Sequence, residues 1–170
     1  MVDLALLILR VAVGLYVFGH GAQKMMGWFG GSGYVKTLSG MIATLGFRPG
    51  PFWTIMSGVC EMGGGLLLAL GLLSPLGTFG VAAAMLTAIV GVHWRNGLWS
   101  SKRGIELPFA YLVVAVAVGL TGPGAYSVDR ALSIALPEPA TWIVMTVLVL
   151  AGLVLAFVTR QPASQPAPQR

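Results

Sequence analysis

Six ionisable side chains lie inside or at the ends of long apolar stretches of this 170-residue chain: Arg10, His20, Lys24, Glu61, His93 and Glu106. Glu61 is near the middle of an apolar run from Phe52 to Leu73 that contains no other charge. An ionised side chain in hydrocarbon is costly, so it must face the protein interior, stay neutral or pair with an opposite charge. These six residues are therefore the candidates for chemistry.

The chemical types of these six side chains suggest a polar site for a lipophilic molecule. Glu61, His93 and Glu106 are candidate catalytic residues, because carboxylates and imidazoles transfer protons. Candidate ligand-binding residues are Arg10, His20, Lys24, Glu61 and His93. We expect Arg10 to pair with Glu61, and we expect His20, Glu61, His93 and Glu106 to line a single cavity.

Other interpretations of these residues stay open. An Arg10–Glu61 pair could serve helix register alone, and a histidine at a helix end is often only an interfacial or capping residue. Two histidines and two carboxylates could also hold a metal, but no E-x-x-H pair is present, and we predict no metal site. Cys60 is the single cysteine, so no intrachain disulfide is available, and we expect it to be inert packing.

The elements that would position these residues are membrane helices. The chain is 56% hydrophobic and 9% charged, whereas soluble domains carry roughly 25% charged residues. An all-α transmembrane bundle is predicted, since a span needs about 20 apolar residues. We expect spans at about 4–20, 53–73, 76–94 and 105–121, a further span at 141–159, and a disordered Pro/Gln-rich tail at 161–170.

The connector from 27 to 50 is too polar and glycine-rich to span, but its residues 34–45 show the apolar spacing of a short amphipathic helix at the interface. Within the spans, pairs of small residues four apart should allow close helix contacts. These pairs are Gly65/Ala69, Gly80/Ala84, Ala115/Gly119 and Gly152/Ala156.

The distribution of basic residues predicts the orientation. With five spans, eight of the ten Lys and Arg residues fall on one side: Lys24, Lys36, Arg48, Arg95, Lys102, Arg103, Arg160 and Arg170. The positive-inside rule makes that side cytoplasmic, with the N-terminus outside and the C-terminus inside a cell (inner or plasma) membrane. The net charge of +5 is thereby explained by membrane orientation, and no nucleic-acid partner is predicted.

Three sequence elements together resemble the DoxX family of small multi-pass membrane proteins. They are RVAVGLYVFGHGAQK at Arg10–Lys24, EMGGGLLLALGLL at Glu61–Leu73 and GPGAYSVD at Gly122–Asp129. The resemblance covers roughly residues 4–132 and implies a four-helix core, to which this chain adds the span at 141–159. It also implies a link to redox chemistry, since some members are described as subunits of quinone-linked thiosulfate oxidoreductases. Others are associated with superoxide dismutase and a sulfurtransferase in redox stress, and related proteins act in assembly or trafficking.

The resemblance and the polar residues together favour a membrane component of a redox system that binds quinone and acts with soluble redox enzymes on the cytoplasmic side. The alternative is a non-enzymatic assembly factor or scaffold that recruits those enzymes through its basic loops. A small transporter is a third alternative. The sequence leaves open whether the chain is itself an enzyme, which cofactor it uses and whether it forms a homo-oligomer.

Overall fold

A computed structural model describes residues 1–43 and 45–161, and this part of the chain is helical, without strands. The helices are α1 (Val2–Met26), α2 (Gly33–Ala43), α3 (Gly50–Leu70), α4 (Ser74–Asn96), α5 (Glu106–Thr121), α6 (Val128–Ala131) and α7 (Ala140–Val158). The tail predicted to be disordered lies, from residue 162 onward, outside the described residues.

Four helices are long and apolar enough to cross a membrane: α1 with 25 residues, α3 with 21, α4 with 23 and α7 with 19. The fifth apolar helix, α5, is shorter at 16 residues. The predicted all-α transmembrane fold, with an additional C-terminal helix, is confirmed. The first helix is longer than the span expected at 4–20, because it continues through His20 and Lys24 to a left-handed glycine, Gly27.

The bundle core forms where α3 packs against α1 and α4, and α4 packs against α5. Small residues bring α1 and α3 together: a Cβ on Gly65 would lie 2.6 Å from the Phe18 amide nitrogen, and one on Gly14 would lie 2.6 Å from the Ala69 amide nitrogen. The small pair Gly65/Ala69 therefore lies at a close helix contact. Around it are Val17, Leu68, Val81, Ala115 and Val118, all buried.

Helix α7 lies at the edge of the bundle. Its only buried residue is Ala156, and Trp142 packs edge-on against Phe79 of α4, with ring centroids 5.0 Å apart. The backbone amide of Gln161 donates a hydrogen bond to the Gly46 carbonyl at 2.8 Å. This contact fixes the end of α7 to the connector between α2 and α3.

The long helices run between two chemically different ends of the bundle. One end holds α2, the α4–α5 connector and the residues after α7, and we call it the basic end because it carries Lys24, Lys36, Arg48, Arg95, Lys102, Arg103 and Arg160. The opposite end holds the start of α1, the turn between α3 and α4, and the segment 122–133 with α6.

Candidate functional site

A cavity of about 870 Å³ lies between α3, α4 and α7, next to α2. Most of its wall is apolar, with Trp53 and Met56 from α3, Phe79 from α4 and Leu148 from α7 among the lining residues. Polar side chains interrupt this wall at a few positions: Lys24, Ser32, Thr37, Ser57, Glu61, Thr87 and His93. An apolar cavity with a few polar groups is the usual form of a small-molecule site.

Lys24 and Glu61 form an ion pair on this wall, with 2.5 Å between Lys24 Nζ and Glu61 Oε1. The Ser57 hydroxyl lies 3.4 Å from the same oxygen. The second carboxylate oxygen, Glu61 Oε2, is buried and has no hydrogen-bond partner among the described residues. Buried polar atoms are almost always paired. The other unpartnered buried side-chain atom in the described chain is Arg10 Nε, and only Glu61 of these two residues lines the cavity.

The two members of this pair differ in burial. The Lys24 side chain is 39% exposed and the Glu61 side chain is 4% exposed. Gly21 allows Glu61 to lie against α1, because a Cβ on Gly21 would be 2.9 Å from the Glu61 Cβ and 2.8 Å from the Met62 amide nitrogen. The carboxylate is thus held between α1 and the cavity, with the Lys24 ammonium as its counterion.

Both α3 and α4 change to π-helix where they carry a cavity-lining ionisable residue. In α3 the π-helical segment is Val59–Gly63, which contains Glu61, and in α4 it is Ile89–His93, which ends with His93. π-Helical turns are rare and often occur at functional sites, because the extra residue redirects a side chain and loosens the backbone hydrogen bonds.

His93 lies at the other end of the cavity from Glu61. The Cys60 carbonyl is level with Gly80 of α4, and His93 follows Gly80 by 13 residues, or roughly 20 Å along a helix. The His93 Nδ1–H donates to the Arg103 carbonyl at 2.6 Å. That bond leaves Nε2 as an acceptor in the neutral ring.

The prediction that His20, Glu61, His93 and Glu106 line one cavity was wrong for two of the four. His20 does not line the cavity; its ring lies 5.7 Å from that of Tyr16, centroid to centroid. The Glu106 carboxylate accepts a hydrogen bond from the Ser100 amide at 2.8 Å and is exposed. Among the described residues, no group of three or more His, Cys, Asp or Glu side chains is placed to hold a metal ion.

The predicted Arg10–Glu61 pair was also wrong. Because α1 and α3 are antiparallel, Arg10 is level with Gly71, whose Cβ position lies 2.9 Å from Arg10 Nη1. Gly71 follows Glu61 by ten residues, about 15 Å along a helix. Lys24, which is 14 residues after Arg10 on α1, reaches Glu61 instead. The Arg10 guanidinium donates to the carbonyls of Ala69 and Tyr126.

Polar contacts of Asp129 and Asp3 hold the opposite end of the bundle together, and we did not predict them from the sequence. The Asp129 carboxylate accepts hydrogen bonds from the Leu73 amide at 2.7 Å and the Ser74 amide at 2.8 Å, and so caps the start of α4. Asp3 accepts from the Ala125 amide at 2.9 Å. The acidic residue in GPGAYSVD was the available signal for this cap.

These features define a polytopic helical membrane protein with a buried ion pair beside an apolar cavity. The chain belongs to the DoxX family: the DoxX family model matches residues 5–94, from α1 to nearly the end of α4. The predicted family is therefore confirmed.

Two curated membrane proteins are similar to the chain. The inner membrane protein YphA of Escherichia coli is 29% identical over 134 residues, which cover 74% of this chain and 88% of that protein. The uncharacterized membrane protein Rv3486 of Mycobacterium tuberculosis is 28% identical over 136 residues, which cover 74% of this chain and 79% of that protein. No solved structure matches the chain.

Proposed function

We propose that the protein is the membrane component of a redox system and binds a quinone-type lipophilic carrier in the cavity between α3, α4 and α7. The observation that carries this proposal is Glu61, a buried carboxylate that lines an otherwise apolar cavity and whose Oε2 has no hydrogen-bond partner among the described residues. The volume of about 870 Å³ is within the range of roughly 300–1,000 Å³ that holds small ligands.

The chemistry of Glu61 selects the ligand group that binds there. An ionised carboxylate accepts hydrogen bonds and cannot donate them. A reduced quinone carries two hydroxyl donors, whereas an oxidised quinone presents two carbonyl acceptors. Glu61 Oε2 therefore favours the reduced form. Lys24 is the counterion of the carboxylate at Oε1, and Ser57 supplies a second polar contact at the same oxygen.

A bound quinone would supply two-electron redox chemistry, while the chain's own residues bind its ring and handle protons. Glu61 holds the hydroxyl proton next to the Lys24 ammonium, and Lys24 is exposed enough to exchange protons with water. His93 is a second acceptor at the other end of the cavity, through Nε2. The basic end would dock the soluble redox enzyme that exchanges two electrons with the carrier, and two protons would leave the quinol for each pair of electrons removed.

The basic end faces the cytoplasm in this proposal, with the N-terminus outside an inner or plasma membrane. The test uses single cysteines at exposed positions in a Cys60→Ser background. Ser101→Cys at the basic end should resist a membrane-impermeant thiol reagent in intact cells, and Glu138→Cys at the opposite end should react. The reverse pattern would overturn the orientation.

Quinol binding is tested with the purified protein in lipid nanodiscs and a short-chain quinol, with its oxidised quinone as the paired probe. Binding is followed by quenching of tryptophan fluorescence, since Trp53 lines the cavity. We expect the quinol to bind more tightly than the quinone, and Glu61→Gln to weaken quinol binding at least about tenfold, the loss of one charged hydrogen bond. Glu138→Gln, which removes an exposed carboxylate elsewhere, is the matched control.

Equal binding of quinol to the wild type and to Glu61→Gln would contradict the proposed site. Failure of both probes to bind at all would favour the second candidate function, a scaffold without a carrier. The observation that favours that candidate is the basic end itself, whose seven basic residues in the described chain offer a docking surface for an acidic enzyme.

A further inference from the structure

A second, smaller cleft of about 280 Å³ lies at the basic end, between the end of α4 and the residues that follow α7. It is lined by Leu45, Val90, Gly91, Val92, Trp94, Arg95 and Arg160. Two arginines thus converge on a cleft whose other walls are apolar. The proposed quinone site uses neither arginine, so the function of this cleft is a separate question.

The Arg160 side chain is fixed in place by its surroundings. Its Nε–H donates to the Leu45 carbonyl, and its guanidinium carbon lies 5.8 Å from the centre of the Phe47 ring. These contacts use the Nε–H and the face of the guanidinium, and they leave the terminal N–H groups available for a ligand. An arginine ordered in this way loses less entropy on binding an anion.

The positive charge of this cleft is not neutralised within the described part of the chain. Neither Arg95 nor Arg160 lies within salt-bridge distance of a carboxylate there. The two carboxylates nearest the basic end are already engaged, since Glu61 pairs with Lys24 and Glu106 accepts from the Ser100 amide. An anionic ligand would therefore gain strong interactions in the cleft without displacing a protein carboxylate.

The cleft lies where the headgroups of a bilayer would be. It is at the end of α4, a helix long enough to span the membrane, and Trp94, which is 66% exposed, is typical of the aromatic belt at that depth. Deeper on α4, Val90 and Val92 are 53% and 45% exposed, and Val92 also lines the larger cavity. A ligand seated here has its anionic group beside the arginines and its apolar part along the valines.

We propose that the Arg95–Arg160 cleft binds the phosphate of an anionic phospholipid, with one acyl chain lying along Val90 and Val92. Guanidinium groups suit phosphate because their parallel N–H groups match two of its oxygens. Basic pockets between membrane helices are known to hold anionic headgroups. A zwitterionic phosphatidylcholine is disfavoured, since its choline group brings a positive charge next to the two arginines.

The test measures lipid retention by native mass spectrometry after exchange into detergent containing equal amounts of phosphatidylglycerol and phosphatidylcholine with identical acyl chains. We expect one phosphatidylglycerol to remain on the wild-type protein. Arg95→Gln and Arg160→Lys should each reduce its retention about tenfold, the first by loss of charge and the second by loss of the planar donor pair. Arg48→Gln, which removes a basic-end charge outside the cleft, and Arg130→Gln at the opposite end should retain the lipid.

Three results would overturn the proposal. One is unchanged retention in both Arg95→Gln and Arg160→Lys. Another is an equal loss in Arg48→Gln, which would mean that only the general charge of the basic end attracts the lipid. The third is displacement of phosphatidylglycerol by millimolar inorganic phosphate, which would identify the cleft as a site for soluble phosphate. Circular dichroism of each variant confirms that its helices are intact before the retention values are compared.

Discussion

Arg10 and Glu61 are both charged and almost fully buried, with 2% and 3% of their surfaces exposed, but their surroundings differ. Arg10 is enclosed at one end of the bundle, where it donates to carbonyls of α3 and of the segment after α5. Glu61 lies on the wall of a large cavity, with one oxygen paired to a half-exposed lysine and the other unpartnered in the described structure.

Under the proposed function, this difference separates a structural charge from a functional one. A buried cation that connects three chain segments contributes to the folded state, and nothing else can reach it. A buried carboxylate with an unpartnered oxygen beside a cavity destabilises the folded protein. A ligand that donates a hydrogen bond to that oxygen would offset the destabilisation. Arg10 Nε is likewise buried without a partner in the described structure, so the feature that distinguishes Glu61 from Arg10 is the cavity that Glu61 lines.

The largest effect on stability is expected from Arg10→Met. The substitution leaves the Ala69 and Tyr126 carbonyls without their donor, and each buried acceptor left unpaired costs about 1–3 kcal/mol. We expect a loss of about 2–5 kcal/mol in the free energy of unfolding, measured in detergent by thermal unfolding. Arg10→Lys should recover only part of it, because one ammonium replaces a guanidinium that spans two carbonyls. A wild-type Tm for Arg10→Met would contradict the structural role.

A smaller loss is expected from Lys24→Met, about 1–3 kcal/mol, because it leaves a buried carboxylate without its cation. The matched control is Lys36→Met, which removes an exposed lysine from α2 and should stay within about 0.5 kcal/mol of the wild type. Thermal unfolding in the same detergent gives both values. Equal stability of the two variants would mean that the Lys24–Glu61 contact contributes nothing to the fold.

Asp129→Asn should cost about 1–2 kcal/mol, since it removes the charged cap from the first turn of α4. An asparagine has one carbonyl oxygen, so it cannot accept from both the Leu73 and Ser74 amides through separate oxygens as the aspartate does. Glu138→Gln, an exposed carboxylate at the same end, is the control. Hydrogen exchange at the start of α4 is the direct measurement, and unchanged protection there would exclude the cap.

The smallest effect on stability is expected from Glu61→Gln. The variant loses the ion pair, but it also removes a buried charge and leaves Lys24 able to reach water, so the two changes largely cancel. We expect the free energy of unfolding to change by less than about 1 kcal/mol while quinol binding is lost. A loss of stability as large as that of Arg10→Met would show that Glu61 is structural as well.

The sequence was sufficient to predict the membrane fold, because apolar length and low charge determine it directly. It also identified Lys24, Glu61 and His93 as candidates, and the structure places these three on one cavity. It did not predict which cation pairs with Glu61, since that depends on the axial register between α1 and α3. This register is set by the contact of Gly14 with Gly65 and Ala69, and residue spacing within one helix does not reveal it.

Two further features depended on tertiary packing. The π-helical turns at Glu61 and His93 change the direction of side chains relative to a regular helix, so helical projection alone misplaces them. The position of His20 away from the cavity follows from how α1 is rotated in the bundle. Asp129 was visible in the motif GPGAYSVD, but its role as a cap for a helix 55 residues earlier in the chain needed the fold.

In our account, Glu61 interacts with Lys24 at the cavity, whereas Arg10 interacts with a separate set of residues at the opposite end of the bundle. A pair of double-mutant cycles tests this distinction most directly. The free energy of unfolding is measured for Lys24→Met, Arg10→Met and Glu61→Gln, and for Glu61→Gln combined with each of the other two. Our account predicts a coupling energy of about 1–3 kcal/mol between Lys24 and Glu61, and additivity within about 0.5 kcal/mol for Arg10 and Glu61. Coupling between Arg10 and Glu61, with additivity for Lys24 and Glu61, would contradict it.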